Sequence, residues 1–152
     1  MRVIGFLLFL QLSLSTAAQD PARPPEFVDP PTKFDEWITI PFSDEKARLD
    51  NLAIHWQQNP RTIIYIVVYA GKRACVGEAE ARWTRARNWL VRERGVPANK
   101  ISWANGGYRE EATVMCWLWP LELGKPPEPY PTRKRIKVKL IKGCRIFNKR
   151  AR

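Results

Sequence analysis

Arg82, Arg85, Arg87, Arg92 and Arg94 crowd one stretch of the chain, and Lys72 and Arg73 stand shortly before it. A guanidinium engages a carboxylate or phosphate through a planar fork of donors, so such a cluster suits anion binding. The same spacing supports a plainer reading. Glu78 precedes Arg82 by one helical turn in the favourable acid-first order, which makes the cations a solvated, ion-paired helix face. Both readings stay open for Arg82 with Lys72 and Arg73. Arg109 joins them as a ligand candidate because it follows Asn105-Gly106-Gly107. That tripeptide reads as a turn, and loop residues on a rigid scaffold often carry function.

Other chemistry finds less support. The lone His55 cannot complete a zinc site, and no cysteine stands at metal-ligand spacing, so no metal is expected. The acid pairs Asp35/Glu36 and Glu110/Glu111 are adjacent, and on strands they would point to opposite faces, which argues against acid–base work. There is no phosphate-cradling glycine loop with the required spacing, so neither an enzyme nor a cofactor is expected. The cysteines are Cys75, Cys116 and Cys144. An odd number leaves at least one free or bonded between chains. A Cys75–Cys116 bridge is expected, with a buried free Cys116 as the alternative.

These residues need elements to position them. Phe34 to Phe42 reads as a short strand. Ser43 stands at a helix N-cap position with Asp44 and Glu45 in the first turn, and Leu49, Leu52, Ala53 and Trp56 form one helical face ended by Asn59-Pro60. Thr62 to Tyr69 is an unbroken β-branched and aromatic run, which predicts a central strand buried on both faces. Ala70 to Gly77 reads as a loop. Ala79, Trp83, Ala86 and Leu90 share a stripe of a second helix that stops at Gly95. Lys100 to Ala104 and Thr113 to Trp119 read as strands joined in hairpin fashion around the Asn105 turn. The expected architecture is α/β (α+β): a β-α-β-α-β-β two-layer sandwich, with a mixed four-stranded sheet and two helices on one side.

The flanks differ from this centre. Arg2, then an apolar run to Leu14, then Ser15, Thr16, Ala17 and Ala18 have the form of a signal peptide, so residues 1–18 are expected to direct export to the periplasm or cell envelope. Residues 19–33 contain five prolines and read as an extended linker to a domain at 34–122. Residues 123–152 read as a second proline spacer and a basic tail. The chain carries a net charge of +11, and residues 125–152 alone hold eleven basic residues against one acid. The folded centre is therefore nearly neutral, and nucleic acid is not an expected partner. Ile136, Val138 and Leu140 alternate with Lys137 and Lys139, so the tail is either a cationic contact for anionic polymer or lipid, or an added edge strand.

The segment Ala79 to Ile101, AEARWTRARNWLVRERGVPANKI, resembles the second helix of the OmpA-like, peptidoglycan-associating domain. Arg82, Ala86, Trp89 and Leu90 fall at its patterned positions, followed by Gly95-Val96 and Ile101. IVVYAGKRACVGEAEAR with NGGYREE is similar to an uncharacterised exported subgroup of that fold. The resemblance implies a non-catalytic envelope module in which Arg82 holds a carboxylate of peptidoglycan. The family's loop Asp has no counterpart, since this loop offers Lys72 and Arg73. Peptidoglycan, or another anionic envelope polymer or lipid, is thus the implied partner. The alternative is a structural or protein-interaction scaffold whose basic tail makes the contact.

Overall fold

The structure is a computed structural model that describes residues 29–129 and 138–142. The expected signal peptide, most of the first proline linker, Ile136 and Cys144 lie outside the described residues. The chain order is β1 (Thr32–Trp37), α1 (Phe42–Gln58), β2 (Thr62–Ala70), β3 (Arg73–Cys75), α2 (Glu78–Asn88), β4 (Ile101–Tyr108), β5 (Thr113–Pro120) and β6 (Lys139–Ile141).

The four-stranded sheet has the order β1-β5-β2-β4. Strand β2 pairs in parallel with β4, while β5 runs antiparallel to both β1 and β2. The sheet is mixed, with helices packed on it, as the element order predicts. Strands β4 and β5 do not form the expected hairpin, because they flank β2 on opposite sides. Their link passes the end of β2, where the Arg109 amide donates to the Ala70 carbonyl at 2.9 Å and the Lys72 amide to the Glu110 carbonyl at 3.2 Å.

A period of two sorts the side chains of β2. Ile64, Ile66 and Val68 pack with Leu49, Leu52 and Ala53 of α1, with Ala79 and Ala86 of α2, and with Val114, Cys116 and Leu118 of β5. Burying each large aliphatic here contributes roughly 2 kcal/mol. Tyr65, Val67 and Tyr69 face the other way, beside Ala104, Met115, Trp117 and Trp119. The residues expected to be a proline spacer cover part of that second face. Trp119 Nε1 donates to the Gly124 carbonyl and Tyr65 Oη to the Pro127 carbonyl, both at 3.0 Å, and Pro126 is buried.

Three local expectations change. Helix α1 begins at Phe42 with Pro41 as its N-cap, and Ser43 instead donates to the Asp44 carboxylate at 3.1 Å. Asn105-Gly106-Gly107 is not a turn but lies inside β4, where the register slips by one residue opposite Val68 and Tyr69. A Cβ on Gly106 would stand within 2.6 Å of Tyr69 Cδ1 and Cζ, and Gly107 has φ +80°, so the bulge requires both glycines. The third concerns Arg73–Cys75, which falls within the expected loop and forms β3, paired in parallel with β6.

Candidate functional site

The parallel β3–β6 ribbon gathers some of the cations that face water. Arg73 lies opposite Lys139, Ala74 opposite Leu140, and Cys75 opposite Ile141. Lys72, Arg73, Lys139 and Lys142 are all exposed. Lys72 has a loose ion pair with Glu110 at 3.4 Å, and the described residues offer no carboxylate partner to Arg73, Lys139 or Lys142. Like charges placed directly across a strand pair repel. The ribbon is held nonetheless by backbone bonds, from the Lys139 amide to the Lys72 carbonyl at 3.0 Å and from the Val76 amide to the Ile141 carbonyl at 3.3 Å.

Arg82 sits beneath this ribbon, not on it. It is 7% exposed. Its Nε donates to Glu78 Oε1 at 3.0 Å, its Nη2 also pairs with that oxygen at 2.9 Å, and Nη2 donates to Thr39 Oγ1 at 2.9 Å. The second oxygen of Glu78 accepts the Cys75 amide at 3.3 Å. Arg82 therefore ties the start of α2 to the chain after β1 and, through Glu78, to the end of β3. The acid-first Glu78–Arg82 pair read from the spacing is present, and the exposed carboxylate receptor expected of Arg82 is corrected to a buried strut. Burial follows from position: Arg82 lies one turn from both Ala79 and Ala86, which line the core.

Arg109 projects elsewhere. Its guanidinium lies 3.8 Å over the Tyr69 ring, Nη1 donates to Glu36 Oε1 at 2.7 Å, and Nη2 approaches Met115 Sδ at 3.3 Å. Lys33 and Arg109 together hold the Glu36 carboxyl below its usual range. Of the four candidate ligand residues, the structure thus brings Lys72 and Arg73 together with the tail lysines and leaves Arg82 and Arg109 in intramolecular contacts.

The Cys75–Cys116 bridge is not formed. Cys116 is a free thiol, fully buried in the core, where burial pushes its pKa up. Cys75 is disulfide-bonded, and the remaining cysteine of the chain is Cys144. Cys116 lies on β5, beside β2, and its position two residues from Val114 and Leu118 turns it toward the helices.

Sequence reasoning missed a buried ion pair between Arg85 and Glu45, which joins the two helices. Burial raises the Glu45 pKa and lowers that of Arg85, while each partner opposes the other's shift. The signal was available: Glu45 stands one turn before Leu49 on the apolar stripe of α1. Among the described residues no group of three or more His, Cys, Asp or Glu side chains has the arrangement to hold a metal ion, and no helix is long and apolar enough to cross a membrane. No protein-family model matches the chain, and no curated protein matches it.

Proposed function

We propose that this protein is a non-catalytic, exported cell-envelope scaffold that meets an anionic envelope component through the cationic ribbon and the basic segment around it. The observation that carries this reading is the Arg73–Lys139 register pair, flanked by exposed Lys72 and Lys142. The ribbon joins the loop that follows β2 to a C-terminal region where residues 125–152 hold eleven basic residues and one acid. Charge of one sign on an exposed edge favours contact with polymer phosphates, carboxylates or lipid headgroups and makes that contact sensitive to salt. Arg82 supports the ribbon from beneath and is not part of the contact. The resemblance to the peptidoglycan-associating domain bears on this proposal only through the class of partner.

The test is co-sedimentation of the protein with purified peptidoglycan sacculi and, separately, with anionic lipid vesicles, across a salt series. Retention on one of the two should fall as salt rises. The R73Q/K139Q/K142Q variant should lose most of that retention while keeping its thermal midpoint. Retention that ignores both salt and these three substitutions would overturn the proposal.

A further inference from the structure

The sheet face turned away from the helices presents Tyr65, Tyr69, Trp117 and Trp119. Among the described residues, the contacts of Tyr65 and Trp119 on this face come from neither α1 nor α2. The run Gly124-Lys125-Pro126-Pro127-Glu128-Pro129 meets both, with Pro126 buried. Its contacts have the chemistry of polyproline recognition. A proline-rich chain lacks amide donors, so its carbonyls are left to accept, and aromatic residues with polar tips supply both a flat apolar surface and a donor. Tyr65 Oη donates to the Pro127 carbonyl and Trp119 Nε1 to the Gly124 carbonyl, each at 3.0 Å. A polyproline helix is already extended in solution, so docking it costs little ordering entropy.

The sequence contains this pattern twice. Lys125-Pro126-Pro127-Glu128 follows the last main-sheet strand, and Arg23-Pro24-Pro25-Glu26 precedes the first. Each is a cation, two prolines and a glutamate. The earlier copy lies seven residues before Lys33, whose register partner is Trp117. Seven extended residues span up to roughly 24 Å, and neighbouring strands are about 4.8 Å apart, so the linking chain is long enough to span β5 to Tyr65.

We propose that this aromatic face is a docking platform for proline-rich chain, occupied by Lys125–Pro129, and that the Arg23–Glu26 segment of the same molecule is its competing occupant. The two tethered segments then exchange on one surface. This inference is independent of the cationic ribbon, and a failure of either leaves the other intact.

The experiment uses the full chain and a synthetic peptide of residues 21–30, read by tryptophan emission. In the P24A/P25A/P126A/P127A variant both tethered segments are disabled, and the peptide should bind. Restoring Pro24 and Pro25 should weaken peptide binding by about tenfold or more, because a short tether supplies an effective concentration on the order of millimolar. That competition should not depend on protein concentration. A peptide with alanine at positions 24 and 25 should bind none of the variants. Equal behaviour of the native and alanine peptides overturns the platform. Competition that grows with protein concentration overturns the intramolecular assignment in favour of a second copy. Should the strap substitutions prevent folding, millimolar native peptide must still change the emission of the wild-type protein where the alanine peptide does not, and no difference there also overturns the proposal.

Discussion

On one face of the sheet, α1 and α2 seal Ile64, Ile66 and Val68; on the other, Tyr65, Val67 and Tyr69 lie beside tryptophans, with a short proline-rich run over Tyr65. Both sets of β2 side chains are buried, but the covers differ in kind. Each helix satisfies its own backbone and brings an apolar stripe, so removing it would expose a contiguous core. The strap brings no internal hydrogen-bond ladder and is anchored at Gly124 and Pro127 by side chains from the sheet. A cover of that sort opens at a lower free energy than the helical layer. The contrast separates stability, which resides on the helix side, from recognition, for which the aromatic side is built.

Substitutions on the two faces should therefore differ in size and character. Ile66→Ala, on the helix face, should cost about 4 kcal/mol in urea denaturation, through lost burial and the cavity left behind. On the same side, Glu45→Ala should cost about 3 kcal/mol by leaving the Arg85 charge in place without this carboxylate. Across the sheet, Gly106→Ala should cost about 2 kcal/mol, since its methyl must displace the Tyr69 ring. A Gly106→Ala protein as stable as wild type would show that this face repacks freely and would sharpen the contrast.

Tyr65→Phe, which removes only the Oη bond to the strap, should cost about 1 kcal/mol. It should also change the alkaline limb of stability. Burial, with smaller contributions from Glu128 and Tyr69, pushes the Tyr65 pKa up to about 12 from the ordinary 10.0. The folded state thus retains a proton that the unfolded state gives up. This contribution is complete below pH 10.0 and is lost as pH rises toward about 12. The stability difference between wild type and Tyr65→Phe should shrink over that interval, as read from unfolding curves at fixed ionic strength. A constant difference would separate the hydroxyl from the titration.

Much of the helix face was legible in the sequence, because local periodicity encodes it. The stripe from Leu49 to Trp56 and the run from Thr62 to Tyr69 each announce their element within a few residues. The burial of Arg82 was also legible, since the spacing that assigns Ala79 and Ala86 to the core assigns Arg82 with them. Its charge favoured the other reading. The bulge at Gly106 was not, since what demands a glycine there is a ring from β2, distant in sequence. Strand β3 was hidden for a similar reason. A three-residue strand has no periodicity to detect, and its partner β6 lies in the tail. Thus the cationic ribbon was visible as separate charges, while their arrangement depended on pairing that no local window contains. Thr113 to Trp119 reads only as a strand, and the position of the strap distinguishes the face that Trp119 occupies.

The strap and β6 come after every strand of the main sheet in the chain. Synthesis proceeds from the N-terminus, so the β1-β5-β2-β4 sheet has its full complement of residues before its aromatic side can be covered. A nascent chain that has emerged only to Pro120 can close its helix-side core, while Tyr65 and Trp119 still lack their bonds to the strap and are left to the segment at 23–26 or to neighbouring polypeptides. The strap thus closes over a surface whose residues all precede it in the chain. Premature termination after Pro120 should produce an adhesive, aggregation-prone species even though its four-stranded sheet and both helices are retained.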